Sequence, residues 1–230
     1  MTTILSTRKL LPAQESMFLN NGIEVVQHDG ISIAFNDFEL PNAQDYYIFT
    51  SRNAVKAYLN KTKNNTPLQN SHIHCFCVGQ KTRSYLIENG LKVIKMTENA
   101  SELANFIVNN HQNASFSLLV GNRNRPELRE QLSQNNIEFS EVEAYTTTLT
   151  PKKFQEDFDG ILFFSPSGIQ SFTQKNELSQ RAAFCIGETT AREAKKFTDN
   201  VQISLETTVE SVITLTINSL SRTKKEYNGN

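Results

Sequence analysis

Two stretches carry residues whose type and spacing suit the capture of an anion. Asp45 to Leu59 reads Asp-Tyr-Tyr-Ile-Phe-Thr-Ser-Arg-Asn-Ala-Val-Lys-Ala-Tyr-Leu, and Asp159 to Thr173 reads Asp-Gly-Ile-Leu-Phe-Phe-Ser-Pro-Ser-Gly-Ile-Gln-Ser-Phe-Thr. In each, a short apolar run ends at a serine, Ser51 or Ser165, and a helical pattern follows, with Val55 and Leu59 four apart and Ile169 and Phe172 three apart. A serine at that junction brings its hydroxyl beside the free N–H groups that open a helix, which together favour negative charge. Cys77-Val-Gly-Gln-Lys-Thr82 and Cys185-Ile-Gly-Glu-Thr-Thr190 form a second matched pair, so the chain reads as an internal duplication. The candidate turns are Thr7-Arg8, Ser51-Arg52-Asn53, Gly79 to Thr82, Gly121 through Arg123 to Arg125, Ser165-Pro-Ser167, and Gly187 through Thr189 to Thr190. All are small, polar or basic, and the ligand they predict is anionic and held at many points.

The elements that must position these turns alternate strand and helix throughout. Strand-like runs fall at Ile4–Thr7, Ile23–Gln27, Ile31–Phe35, Ile73–Val78, Val93–Met96, Phe116–Val120, Ile137–Thr148, Ala183–Ile186 and Val201–Leu205, besides the two opening stretches. Pro12 suits the first position of a helix that Asn21-Gly22 stops, and Ser101 is the expected N-cap of another. The last helix is expected from Val209 to about Leu220, with a frayed polar tail at Ser221–Asn230 and a polar loop at Lys61–Ser71. The order predicts an α/β fold with parallel sheets flanked by helices, whose ligands sit at the carboxyl ends of strands. Periodicity alone would cut the chain once, near Asn113.

Composition narrows the function. With 38% hydrophobic and 20% charged residues the chain can build a core, and no apolar run approaches the ~20 residues of a membrane span. A net charge of −1 offers no overall field for nucleic acid. The N-terminus has no signal-peptide pattern, and three cysteines, two of them in one strand, suggest a reducing cytoplasm rather than disulfides. His72-Ile-His-Cys-Phe-Cys77 invites a metal reading, but strand alternation sends His72 and His74 to one face and Cys75 and Cys77 to the other, so no metal site is expected. No Gly-x-Gly-x-x-Gly or Walker pattern occurs. Ser51, Ser101 and Ser165 also read simply as helix caps, and Tyr145 as a strand aromatic.

At these residues the sequence resembles the uroporphyrinogen-III synthase family. The pieces that carry the likeness are Thr7-Arg8, Ile48 to Val55, Val78 to Thr82, Gly121 with Arg125, Leu128 and Leu132, Glu143-Ala-Tyr-Thr146, Phe163 to Gly168 and Ile186 to Ala191. None is specific alone; the ordered series, found twice, is. The resemblance implies two flavodoxin-like domains joined by a two-stranded connection, one made of residues 1–35 plus 150–230 and the other of 36–149. Where the family commonly has a proline after the second strand, this chain has His28-Asp29. Asn136 stands for a common glycine, and asparagine tolerates the same left-handed backbone.

The resemblance further implies an activity. The family cyclises hydroxymethylbilane to uroporphyrinogen III, losing water and inverting ring D, with no cofactor or metal. Departure of the hydroxyl leaves an electrophilic azafulvene, which the substituted carbon of ring D attacks to give a spiro intermediate. Unaided closure gives the uninverted isomer, so the protein's main task is to hold one conformation of the substrate. Carried over by position, Tyr145 assists departure of the hydroxyl, since a phenol keeps its proton at neutral pH and can donate it. Thr82, Ser165, Ser167, Thr189 and Thr190 match cleft-lining positions, with Ser51, Arg52 and Asn53 on the same rim. Arg8, Arg123 and Arg125 are expected to meet substrate carboxylates. The expected protein is a cytoplasmic monomer that touches hydroxymethylbilane synthase in passing and binds neither nucleic acid nor membrane. The rival reading is a non-catalytic two-lobed receptor for a small anion.

Overall fold

The structure, a computed structural model, describes residues 2–41, 44–63 and 72–227, with side chains as far as residue 221. Of the polar loop expected at Lys61–Ser71, residues 64–71 lie outside the described residues, and Lys61 itself closes a helix. The described elements run β1 (Thr2–Ser6), α1 (Pro12–Leu19), β2 (Ile23–Gln27), β3 (Ile31–Phe35), β4 (Tyr46–Phe49), α2 (Arg52–Lys61), β5 (His74–Val78), α3 (Gln80–Glu88), β6 (Lys92–Thr97) and α4 (Ala100–Asn110). They continue with β7 (Ser115–Gly121), α5 (Glu127–Gln134), β8 (Glu138–Leu149), β9 (Gly160–Phe163), α6 (Pro166–Thr173), β10 (Ala182–Cys185), α7 (Glu188–Ala194), β11 (Val201–Ile203) and α8 (Val209–Tyr227). The α/β class with parallel, helix-flanked sheets is the one the alternation predicts.

The chain divides into two compact units, Met1–Ser32 with Thr148–Asn230, and Ile33–Thr147. The first holds a five-stranded sheet in the order β2-β1-β9-β10-β11, the second a six-stranded sheet in the order β3-β8-β7-β4-β5-β6. Pairings from β2 to β11 and from β8 to β6 are parallel. Leaving β3 aside, both sheets show one arrangement, with the first repeat's opening pair, β1 and β2, beside the second repeat's β9, and the second repeat's β7 and β8 beside the first repeat's β4. The duplication therefore interleaves: each repeat lends its first two strands to the other's last three. A matched hydrogen bond marks the joint in each. Asp159 Oδ2 accepts from Thr3 N at 2.8 Å, and Asp45 Oδ2 accepts from Ser115 N at 2.8 Å.

Each sheet is buried on both faces. In the first unit Ile161 and Phe163 join Leu5 under Ile169, Phe172 and Ala191, while Leu162 faces Ile4, Phe18 and Val212. In the second, Phe49 packs on Val55, Tyr58 and Leu86, while Ile48 and Phe76 pack on Leu103, Ile107 and Leu132. Burying each such side chain contributes about 1.5–3 kcal/mol. A one-residue slip of β9 would exchange its two faces, so side-chain burial fixes the register and hence the height of each strand-end turn.

Two boundaries differ from expectation. The N-cap of α4 is Asn99, not Ser101: Asn99 Oδ1 accepts from Glu102 N at 2.9 Å, and the Glu102 carboxylate reaches back to Asn99 Nδ2 at 2.7 Å and to Glu98 N at 3.2 Å. Asparagine caps as well as serine, and this one also engages a glutamate three residues on. The last helix runs to Tyr227 rather than ending near Leu220.

Candidate active site

Ligands of doubly wound sheets lie at the carboxyl ends of strands where the winding reverses. That place is between β4 and β7 in the second unit and between β1 and β9 in the first.

In the second unit, Ser51 follows β4 with extended backbone (φ −152°, ψ 154°) and caps α2, its Oγ accepting from Ala54 N at 3.2 Å. The same oxygen stands 3.0 Å from the phenol oxygen of Tyr145. Tyr145 comes from β8, and β7 lies between β8 and β4, so the ring has to cross β7 to reach Ser51. Two features allow it. The β7–β8 register shifts between Val120 and Gly121, which sets Gly121 opposite Tyr145, an irregularity that re-aims a side chain. And Gly121 has no side chain: a Cβ there would stand 2.4 Å from Tyr145 Cζ. Asn122 then fixes the strand beyond the ring. Its backbone N donates to Tyr145 O at 3.2 Å, its Oδ1 accepts from Thr147 N at 2.9 Å, and its Nδ2 donates to Thr147 O at 3.3 Å. Asn36 completes the support, donating through Nδ2 to Glu143 O at 2.8 Å and accepting from Thr146 Oγ1 at 2.9 Å. Neither asparagine is among the residues singled out from the sequence. The signal available is a glycine closing an apolar strand and followed at once by an amide side chain.

The remaining second-unit candidates sit around this pair at the strand ends. Arg52 is exposed and Asn53 half-buried in the first turn of α2. Gly79 opens α3 with φ 84°, a left-handed backbone that favours glycine. Thr82, one turn on, is buried at 5% exposure. Arg123 and Arg125 lie exposed in the turn after β7. Below the rim, burial pushes the Cys77 thiol up to about 11, Arg83 pulling weakly the other way.

In the first unit, Ser165 caps α6, its Oγ accepting from Gly168 N at 3.1 Å, with Ser167 half-buried beside it. Here chain, not a phenol, occupies the reversal point. Thr7 Oγ1 donates to Leu162 O at 2.7 Å, Gly30 N donates to Thr7 O at 3.0 Å, and Thr150 N donates to Gly30 O at 3.0 Å. His28 Nε2 donates to Thr150 O at 2.6 Å, so His28 and Asp29, which stand where the resemblance expects a proline, join this closure; the Thr150 hydroxyl donates to Asp29 O. Arg8 is exposed, its guanidinium 5.5 Å from the centre of the Phe164 ring. Gly187 opens α7, with Thr189 exposed and Thr190 buried at 3%. Thr82 and Thr190 thus hold matching buried places in the two units, each preceded by an exposed residue, Lys81 or Thr189.

The model of the family described as Uroporphyrinogen-III synthase HemD matches residues 16–214. The chain belongs to this family. Members are cyclising lyases of tetrapyrrole biosynthesis, and that is the function of this chain. No curated protein matches it in sequence. Among solved structures, uroporphyrinogen-III synthetase from Helicobacter pylori is similar at 20% identity and a TM-score of 0.69, over 95% of this chain and 99% of that one. A mutant uroporphyrinogen III synthase from the extremely thermophilic bacterium Thermus thermophilus is similar at 12% identity and a TM-score of 0.72, over 96% of this chain and 100% of that one. At these identities the likeness is one of fold, and it extends over the whole of both relatives. Among the described residues no helix is long and apolar enough to cross a membrane.

Proposed function

We propose that Tyr145 donates the proton on which the hydroxyl of hydroxymethylbilane departs as water, and that the strand-end turns hold the substrate's carboxylates. The observation that carries this reading is the phenol held across Gly121 at the winding reversal of the second unit, 3.0 Å from Ser51 Oγ. Protonating the leaving oxygen turns a poor leaving group into water and leaves the azafulvene. Attack by the substituted carbon of ring D, reopening of the spiro intermediate and final closure neither add nor remove other atoms. The closing pyrrole carbon loses its proton as the ring regains aromaticity, which restores the phenol. The net change is loss of one water.

The exposed Arg8 of the first unit and Arg52, Arg123 and Arg125 of the second are the charged partners for carboxylates; Ser165, Ser167 and Thr189 donate in the first unit and Asn53 in the second, as charge-assisted bonds at helix N-termini favour. Gly79 leaves open space at its strand end, Gly121 makes room for the Tyr145 ring and Gly187 lets the turn pass close to Thr207, while Thr82 and Thr190 act from buried places that shape the turns. The substrate passes from hydroxymethylbilane synthase during a transient contact, and the protein acts as a cytoplasmic monomer.

The test is a coupled assay from porphobilinogen and its deaminase. Added protein diverts product from the type I to the type III isomer. A Tyr145→Phe variant keeps its fold and loses about 10²-fold in kcat, the lower end of what a positioned acid supplies. An unchanged isomer ratio with folded wild-type protein rejects the enzyme and leaves an anion receptor; wild-type kcat in the variant removes Tyr145 alone.

A further inference from the structure

We propose that Ser51 is a positioning residue for Tyr145, donating its hydroxyl proton to the phenol oxygen so that the phenol's own proton points at the leaving hydroxyl. This rests on the reading of Tyr145 as the proton donor. A serine hydroxyl has one proton and two lone pairs. Ser51 Oγ already accepts from Ala54 N at 3.2 Å, and the phenol oxygen 3.0 Å away is placed to take its proton. In the opposite sense, with Tyr145 donating to Ser51, the phenol's only proton would be engaged inside the protein. As the phenol releases its proton, negative charge grows on an oxygen held beside the Ser51 hydroxyl and the N-terminus of the ten-residue α2, where helix dipole and hydroxyl both stabilise it.

The duplication separates this role from capping. Ser165 holds the same place after β9 and caps α6 in the same way, Gly168 N donating to its Oγ at 3.1 Å. Among the described side chains no phenol is hydrogen-bonded to its hydroxyl, whereas in the second unit a tyrosine reaches across the central strand to the matching serine. The cap is therefore common to both repeats, and the Ser51–Tyr145 pair is an addition to one.

The experiment uses Ser51→Gly and Ser51→Thr, alone and combined with Tyr145→Phe, in the full chain. Glycine keeps most of the capping energy of serine and lacks the donor; threonine keeps both. The expected result is that Ser51→Gly melts close to wild type, lowers kcat about tenfold, the worth of one hydrogen bond made in the transition state, and leaves KM within about twofold. Ser51→Thr recovers most of the loss. In the Tyr145→Phe background, Ser51→Gly lowers kcat less than about twofold further. Wild-type kcat in Ser51→Gly overturns the proposal, as does an equal loss with and without the phenol hydroxyl, or a rise in KM alone. If Tyr145→Phe itself keeps wild-type kcat, the failure lies in the reading of Tyr145, not in the pairing.

Discussion

The ring of Tyr145 rests on the backbone of Gly121, so close that a Cβ at Gly121 would lie 2.4 Å from Cζ and 2.5 Å from Cε2 of the ring. The two residues face each other across adjacent parallel strands, and only because the β7–β8 register shifts one residue earlier. Glycine is required here by close approach, not by backbone torsion. The contact decides where the phenol oxygen goes: over the end of β7 and onto Ser51 at the end of β4.

Gly121→Ala is accordingly the sharpest structural test of that placement. The new methyl cannot coexist with the ring, so the ring leaves β7 or the strand end shifts. Crowding of this kind destabilises by about 1–3 kcal/mol. Activity is expected to fall by about 10²-fold in kcat, matching removal of the phenol hydroxyl, because the acid is displaced rather than changed. Steady-state kinetics beside a thermal melt checks both. A variant that melts lower yet turns over at the wild-type rate would show that the ring's seat does not matter.

Asn122 acts one step further out. Its side chain makes two hydrogen bonds to the backbone of Thr147, and it is exposed, so its removal opens no cavity. Asn122→Ala should lower stability by about 1 kcal/mol and kcat severalfold, with Asn122→Asp between it and wild type because one acceptor remains to Thr147 N. The ordering of the three kcat values is the measurement; equal values for alanine and wild type would leave the ring's placement to Gly121 and Asn36.

Much of the frame was legible because its physics is local. Short β-branched and aromatic runs ending in serine or glycine mark β4, β5, β9 and β10, and the turns after them carry the polar rim. Asn136 adopts φ 56°, the left-handed backbone that its replacement of a glycine suggested. Alternation in Cys75-Phe-Cys77 places both thiols in one core and Phe76 in the other. What could not be read is non-local. Repetition shows which segments are alike, not which will pair, so the exchange of β1–β2 against β7–β8 has no signature in periodicity. The register shift at Gly121 depends on how two strands meet, and a strand aromatic at Tyr145 looks the same whether it packs or reaches a hydroxyl. The cap at Asn99 is a different case: Asn99 and Glu102 stand three apart, a start signal that lies in the sequence itself and that the choice of Ser101 passed over.

The joint between repeats gives an acid-side prediction. Asp45 accepts from both the backbone N and the hydroxyl of Ser115, and these bonds hold its carboxyl below the usual 3.8. A carboxylate whose folded value is lowered adds stability above its ordinary value and loses it as pH falls through the lowered one. Asp45→Asn should therefore be less stable than wild type at neutral pH, with the gap closing below pH 3.8. Urea unfolding at about pH 7 and about pH 3 checks it. A gap that does not change with pH would mean that the carboxylate charge plays no part in this joint.

The thiols give the alkaline counterpart. Cys75, Cys77 and Cys185 are free and fully buried. Burial raises all three from the ordinary 9.0, Cys77 to about 11, Cys185 to about 12 and Cys75 beyond that, the last helped by its neighbour Cys77. An acid group with a raised folded value stays neutral in the native state while its unfolded counterpart ionises. Its contribution is thus complete below the unfolded value and declines as pH rises above it, by about 1.4 kcal/mol per pH unit for each thiol. Stability is expected to fall above about pH 9, and Cys185→Ala, which removes one titrating group, should fall less steeply than wild type over the interval up to about pH 11. Native protein should also resist a thiol reagent at about pH 8 and react at all three cysteines once unfolded. Rapid labelling of folded protein, or identical alkaline slopes for wild type and Cys185→Ala, would refute the burial argument for these side chains.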